Sequence, residues 1–288
     1  MRVNTIVGGI IITILLVSVV YAFASPIISG PIFLTGDDKA RVTIEYSLNS
    51  TQMPGISYVN LNFTLKSGGI EVNFTDDIEL IYKFVFRQDP SVGEPNITNI
   101  KLNSELLVDV MAESGDVRVT LGSNYIYNCN MSVGAGGVAA TLSNSTNLGY
   151  LNLIVTYAGG VSVDILDEAS FDFLNLMVNT GGVRLHIDAN SLGKNCSVYS
   201  EVKVGGMIVD SLLLGTDLGC RVRASVDIGG IFLNTVDFTK IEESANKVEI
   251  ISSNYTIAST KIDIDVFLGL GGGMVNENPF FTFPTGFG

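Results

Sequence analysis

A pair of small residues followed by alternating apolar ones returns along this chain at a nearly fixed interval, and no other feature restricts its fold so tightly. The pairs are Gly68-Gly69, Gly115-Asp116, Gly136-Gly137, Gly159-Gly160, Gly181-Gly182, Gly205-Gly206, Gly229-Gly230 and Gly272-Gly273, each followed at once by Ile, Val or Met. Counted from the second member, successive intervals are 47, 21, 23, 22, 24, 24 and 43 residues, so the two long ones are close to two periods each. Self-similarity of this length signals stacked structural units.

The residues around each pair say what the unit is. Apolar side chains fall one, three and five positions after it, as in Val161, Val163, Ile165 and again in Val183, Leu185, Ile187. Period two means a strand with one buried face. A second alternating run precedes the pair, as in Cys220, Val222, Ala224, Val226 and Ile228. A unit this short cannot bury its own apolar face, whereas stacked units, with strands about 4.8 Å apart, bury a continuous one. The expected fold is therefore all-β, a single-stranded β-helix (β-solenoid) of 22–24 residues per coil, with roughly nine or ten coils. The glycine pair marks a corner where strained backbone recurs. Residues 37–275 form the solenoid, irregular over 37–114 and regular over 115–275, and 276–288 are a separate tail. In the irregular part VTIEYSL, YVNLNFTL and LIYKFVF read as strands and RQDPSVGEPNITN as an inserted loop.

Residues 1–30 are a targeting or anchoring segment. No charged side chain occurs between Arg2 and Asp37, and Ile6 to Ala24 is nearly all apolar, long enough for a helix to cross a bilayer. Two readings stand. Either residues 6–24 are a single-pass transmembrane helix with a cytoplasmic N-terminus, or Ala22-Phe23-Ala24 is a cleavage signal and the protein is released after Ala24. Both put the body outside the cytoplasm. The net charge of -13, with Lys and Arg scattered singly, excludes a nucleic-acid surface.

The exported segment, the Gly-Gly-Val corners and paired strands such as NLMVNTGGVRLHI resemble the putative-adhesin, toast-rack type of β-solenoid domain of bacterial and archaeal envelope proteins. The resemblance spans roughly residues 40–275 and implies a surface or envelope role, in some relatives beside membrane-stress signalling systems. It carries over no catalytic residues.

Candidate sites follow from phase within the repeat. Cys196 and Cys220 lie 24 residues apart at one inward phase and are expected to stack in adjacent coils, as a buried thiol pair or a disulfide. Cys129 reads as a free buried thiol. His186, the only histidine, shares an outward row with Asp164 and Asp210, and beyond them with Asn73, Thr120, Thr141 and Asn234. Flanking carboxylates should raise its pKa, and the trio is a weak candidate for a metal, against a solvated polar row. Asp167, Glu168 and Asp172 form the densest acidic turn. Sequons at Asn49, Asn62, Asn73, Asn96, Asn130, Asn144, Asn195 and Asn254 are candidates for glycosylation,. Phe280, Phe281, Phe283 and Phe287 in the tail are candidates for capping the last coil or for contacting a membrane or another subunit. No residue set calls for a cofactor or forms a catalytic constellation. The leading expectation is a non-enzymatic, adhesin-like or protein-interaction module of the cell surface. A filament or lattice subunit, an accessory of membrane-stress signalling and a carbohydrate-active β-helix enzyme are the alternatives. Dispersed carboxylates and the lack of Trp weigh against the last.

Overall fold

The computed structural model describes residues 41–233, 238–244 and 246–275, so the apolar run at 6–24 and the tail at 276–288 lie outside the described residues. Among the described residues there are thirteen strands and no helix, hence none long and apolar enough to cross a membrane. Eight strands are long and carry a glycine pair, or in β5 Gly115-Asp116, at the corner: β2 (Tyr58–Phe74), β5 (Glu105–Leu121), β6 (Ile126–Leu142), β7 (Asn147–Leu166), β8 (Ser170–Ala189), β9 (Cys196–Leu214), β10 (Leu218–Leu233) and β13 (Thr260–Val275). The short ones are β1 (Val42–Asn49), β3 (Leu80–Gln88), β4 (Asn96–Leu102), β11 (Phe238–Glu243) and β12 (Lys247–Ser252).

Each long strand is a coil folded at its glycines. In β6 the buried positions are Tyr127, Cys129, Met131 and Val133, then Val138, Ala140 and Leu142, so the inward parity switches across Gly136-Gly137. With that switch the limbs before and after the corner turn their apolar faces to one common core,. The corner also dictates its residue. Gly136 has φ +135°, and a Cβ there would lie 1.9 Å from the carbonyl oxygen of Gly68 in the next coil, so backbone stacks on backbone with no room for a side chain. Register fixes the last corner one residue earlier than the sequence pattern suggested: Gly271 and Gly272 pair with Gly205 and Gly206, and Gly273 takes the inward place of Met207.

Coil order departs from chain order. The eight stack in parallel as β5-β2-β6-β7-β8-β9-β13-β10. Among the described residues the two long intervals therefore hold no extra coil. They hold short antiparallel strands, and the described coils number eight, below the nine or ten expected. The inserted loop is also partly strand, since Asn96–Leu102 pairs antiparallel with β5.

Each of the two exchanged coil pairs carries matched charge on the solvent face. Between β2 and β5, Lys66 pairs with Glu113 at 2.6 Å, Arg118 with Glu71 at 3.1 Å, and the Asn62 amide donates to Asp109. Between β13 and β10, Arg221 pairs with Asp263 and Arg223 with Asp265. Exposed pairs contribute at most about 1 kcal/mol each. Opposite charges across strands still hold each pair of coils in one register, though the same pairs would form with the two coils exchanged.

Antiparallel strands close most of the ends. At the β5 end, β4 covers the limb before the corner and β3, backed by β1, covers the limb after it. An aromatic cluster fills that end: Phe63 lies 5.8 Å from Phe84 and 6.0 Å from Phe86, and Tyr82 stacks on Phe84 at 4.3 Å. At the β10 end, β12 and β11 cover the limb before the corner.

Candidate functional site

Outward residues of neighbouring coils align in rows, so the face is read by following the register. On the limbs before the corner, one row runs Asn128, Tyr150, Phe173, Ser197; the next Asn130, Asn152, Asn175, Tyr199; the third Ser132, Ile154, Met177, Glu201. Across β6, β7 and β8 these three rows carry no charge. They combine aromatic, amide and aliphatic side chains on one face of the parallel sheet, with Phe173 39% exposed. Charged pairs stand on both sides, Lys66 with Glu113 toward one end and Arg221 with Asp263 toward the other. A centre depleted of charge inside a charged border is the anatomy of a recognition surface.

The amides in the middle row are oriented by one another. Asn62 donates to Asp109, Asn130 to Asn62, and Asn152 to Asn130. The chain of donors stops there, and the buried Oδ1 of Asn175 has no hydrogen-bond partner. An acceptor in that state favours a ligand that brings a donor. The sequence reading missed this patch. Its signal was the repeat itself: Tyr150-Leu-Asn152-Leu-Ile154 and Phe173-Leu-Asn175-Leu-Met177 occupy one phase, and the outward members become visible once the inward leucines are removed.

The row read around His186 is present on the limbs after the corner. Asp164, His186 and Asp210 are successive register partners on β7, β8 and β9, as are Thr120 and Asn73 on β5 and β2, while Asn234 lies outside the described residues. His186 Nδ1 is 3.2 Å from Asp210 Oδ2, and Arg184 stands 3.8 Å from Asp164 and 3.9 Å from Asp210. The guanidinium occupies the position from which a cation would be repelled, and among the described residues no three acidic, histidine or cysteine side chains converge as a metal site,. The hydrogen bond to Asp210 is the largest effect on the histidine and raises its pKa above the usual 6.5, against desolvation; Asp164 adds least.

Asp210→Asn is therefore expected to lower the His186 pKa in an NMR titration, and Asp164→Asn to move it much less. Because the folded pKa is raised, this pairing stabilises the fold fully below about pH 6.5 and ceases to do so as pH rises through the folded value. The stability gap between the native chain and Asp210→Asn should shrink across that window.

The cysteine pair needs correcting. Cys196 and Cys220 share a phase but not a boundary, because Ile262 of β13 is the register partner of both. Two strand spacings, about 9.6 Å, exceed disulfide reach, and both thiols are free, as is Cys129. Burial pushes all three thiols far up, which suppresses thiolate chemistry.

Among the sequons, Asn49, Asn96, Asn144 and Asn195 are exposed at strand ends or loops. Asn62 and Asn130 are committed to the amide row, the Asn73 amide donates to Glu71, and Asn254 donates to the carbonyls of Gly215, Thr216 and Leu218. Asp167 of the acidic turn accepts from the backbone and side-chain nitrogens of Asn190, which lowers its pKa. That turn is a structural clasp between coils. Phe280, Phe281, Phe283 and Phe287 lie outside the described residues.

No protein-family model and no curated protein matches this sequence. Among solved structures, a putative cell adhesion protein from Clostridium sporogenes is similar at 16% identity and TM-score 0.52, over 83% of this chain and 100% of that one. Putative adhesins from Bacteroides fragilis (10% identity, TM-score 0.29, 82% and 97% covered) and Parabacteroides distasonis (11%, 0.26, 83% and 98%) are also matched. The likeness to the clostridial protein is one of fold, and at that level the resemblance carried by the glycine corners holds.

Proposed function

We propose that this chain is a non-enzymatic, adhesin-like surface protein whose solenoid displays a binding face. The observation that carries the reading is the uncharged strip of Tyr150, Phe173, Asn152, Asn175, Ile154 and Met177 inside its charged border. Aromatic and amide groups aligned in register on a sheet face suit the neutral face of a polysaccharide chain or the apolar centre of a protein partner. The carboxylates nearby are paired, Asp172 with Lys194, Glu201 with the Tyr199 hydroxyl and Asp263 with Arg221, an arrangement that favours display over acid-base chemistry. The name of the clostridial protein, a cell adhesion protein, is consistent with this use. In this reading the apolar segment at 6–24 holds the protein in the membrane, or cleavage after Ala24 releases it, and any sugars sit on the exposed sequons Asn49, Asn96, Asn144 and Asn195.

The test is attachment of cells displaying the full chain to surfaces coated with neutral polysaccharide or with protein. The double substitution Tyr150→Ser with Phe173→Ser should weaken binding about thirtyfold with an unchanged circular dichroism spectrum. Attachment equal to that of the native chain would remove the face from the account.

A further inference from the structure

Of the four limb ends of the stack, three carry an antiparallel strand: β4 and β3 on the two limbs of β5, and β12 on the first limb of β10. The fourth is the second limb of β10. Beyond Val226 its partner on one side is β13, and among the described residues nothing pairs on the other side. The open edge is apolar as well. Ile228 and Phe232 are 56% and 64% exposed, and Gly230 faces open space. An edge of unpaired amides beside exposed apolar side chains is a template for an added strand.

The chain outside the described residues ends in the right place to supply one. Val275, the last described residue of β13, is the register partner of Leu233 at the tip of this limb. From there residues 276–288 read NENPFFTFPTGFG. Asn276 to Pro279 have turn composition, and four residues reach about 13 Å, more than the two strand spacings, about 9.6 Å, from β13 across β10. Phe280 to Phe283 follow with strong strand preference, and Pro284 is acceptable on an outermost strand, where its missing N–H faces solvent.

We infer that residues 280–283 of the same chain add antiparallel to the Ile228–Leu233 edge and close the solenoid in cis. The three closed ends set the pattern, since each terminal limb takes an antiparallel strand from its own chain. Short covalent linkage gives this strand a high effective concentration over one from a second copy. The tail then holds the protein monomeric by occupying the edge through which copies would otherwise join.

The experiment uses the full chain in detergent, with hydrogen exchange read on peptides covering 226–233. Deleting residues 276–288 should speed exchange of the outward amides about a hundredfold and produce edge-joined oligomers. Equal exchange in the two proteins would overturn the inference. Should the deletion fail to fold, Phe232→Cys with Phe281→Cys in the full chain reports the same contact through a short thiol-bridging reagent. A bridge within one chain supports the inference. A bridge between two chains assigns the edge to a second copy and overturns it, as does the absence of a bridge.

Discussion

Gly136→Ala is expected to cost on the order of 4 kcal/mol or more, enough to unfold a marginal coil, while Gly137→Ala should cost no more than about 1 kcal/mol. The two glycines are adjacent and belong to one corner, so composition does not separate them. Gly136 has φ +135°, and an added Cβ would sit 1.9 Å from the Gly68 carbonyl oxygen; at Gly137 the nearest atom is the Gly160 carbonyl oxygen at 3.6 Å, an ordinary contact. The chain already shows the second site tolerates a side chain, because β5 carries Asp116 there. Thermal unfolding of both variants, followed by the β-sheet circular dichroism signal, checks the contrast.

Phe63→Ala is expected to cost about 3–5 kcal/mol. Its ring is 1% exposed and bridges the two limbs at the capped end, edge-on to Phe84 and stacked on Phe86. Truncation would open a cavity between β2 and the covering strand β3, which loosens the cap before the coils behind it. Denaturant unfolding measures this, and Phe173→Ala supplies the contrast: an exposed ring on the binding face, expected to change stability by about 0.5 kcal/mol or less while weakening attachment.

The coil was legible in the sequence because its determinants are local. Period-two alternation and a recurring glycine pair report inward phase and corner position within a single unit, so Val161, Val183 and their equivalents are core residues in the structure as they were in the pattern. Stacking order was not legible, because in-phase coils present nearly the same apolar face to any neighbour. The outward charges report only which coils adjoin: Asp263 and Asp265 on β13 meet Arg221 and Arg223, and Glu113 on β5 meets Lys66, whichever member of each pair faces the rest of the stack. Reading the repeat alone put Cys220 beside Cys196, and β13 separates them. The His186 row survived because β7, β8 and β9 do stack in chain order. The aromatic and amide face escaped notice for a related reason. Its members are unremarkable singly, and only register brings Tyr150 beside Phe173 and Asn152 beside Asn175.

The rows at the two ends of the stack depend on that order, so the most direct measurement is of the order itself. Tyr199, Asp265 and Arg223 are successive register partners on β9, β13 and β10, all outward, while the three native thiols are buried. Cysteine pairs placed at 199 with 265 and at 223 with 265 should each be joined by a short thiol-bridging reagent in the folded chain, and the pair at 199 with 223 should not. Efficient bridging of 199 with 223, with 199 failing to reach 265, would contradict the interposition of β13.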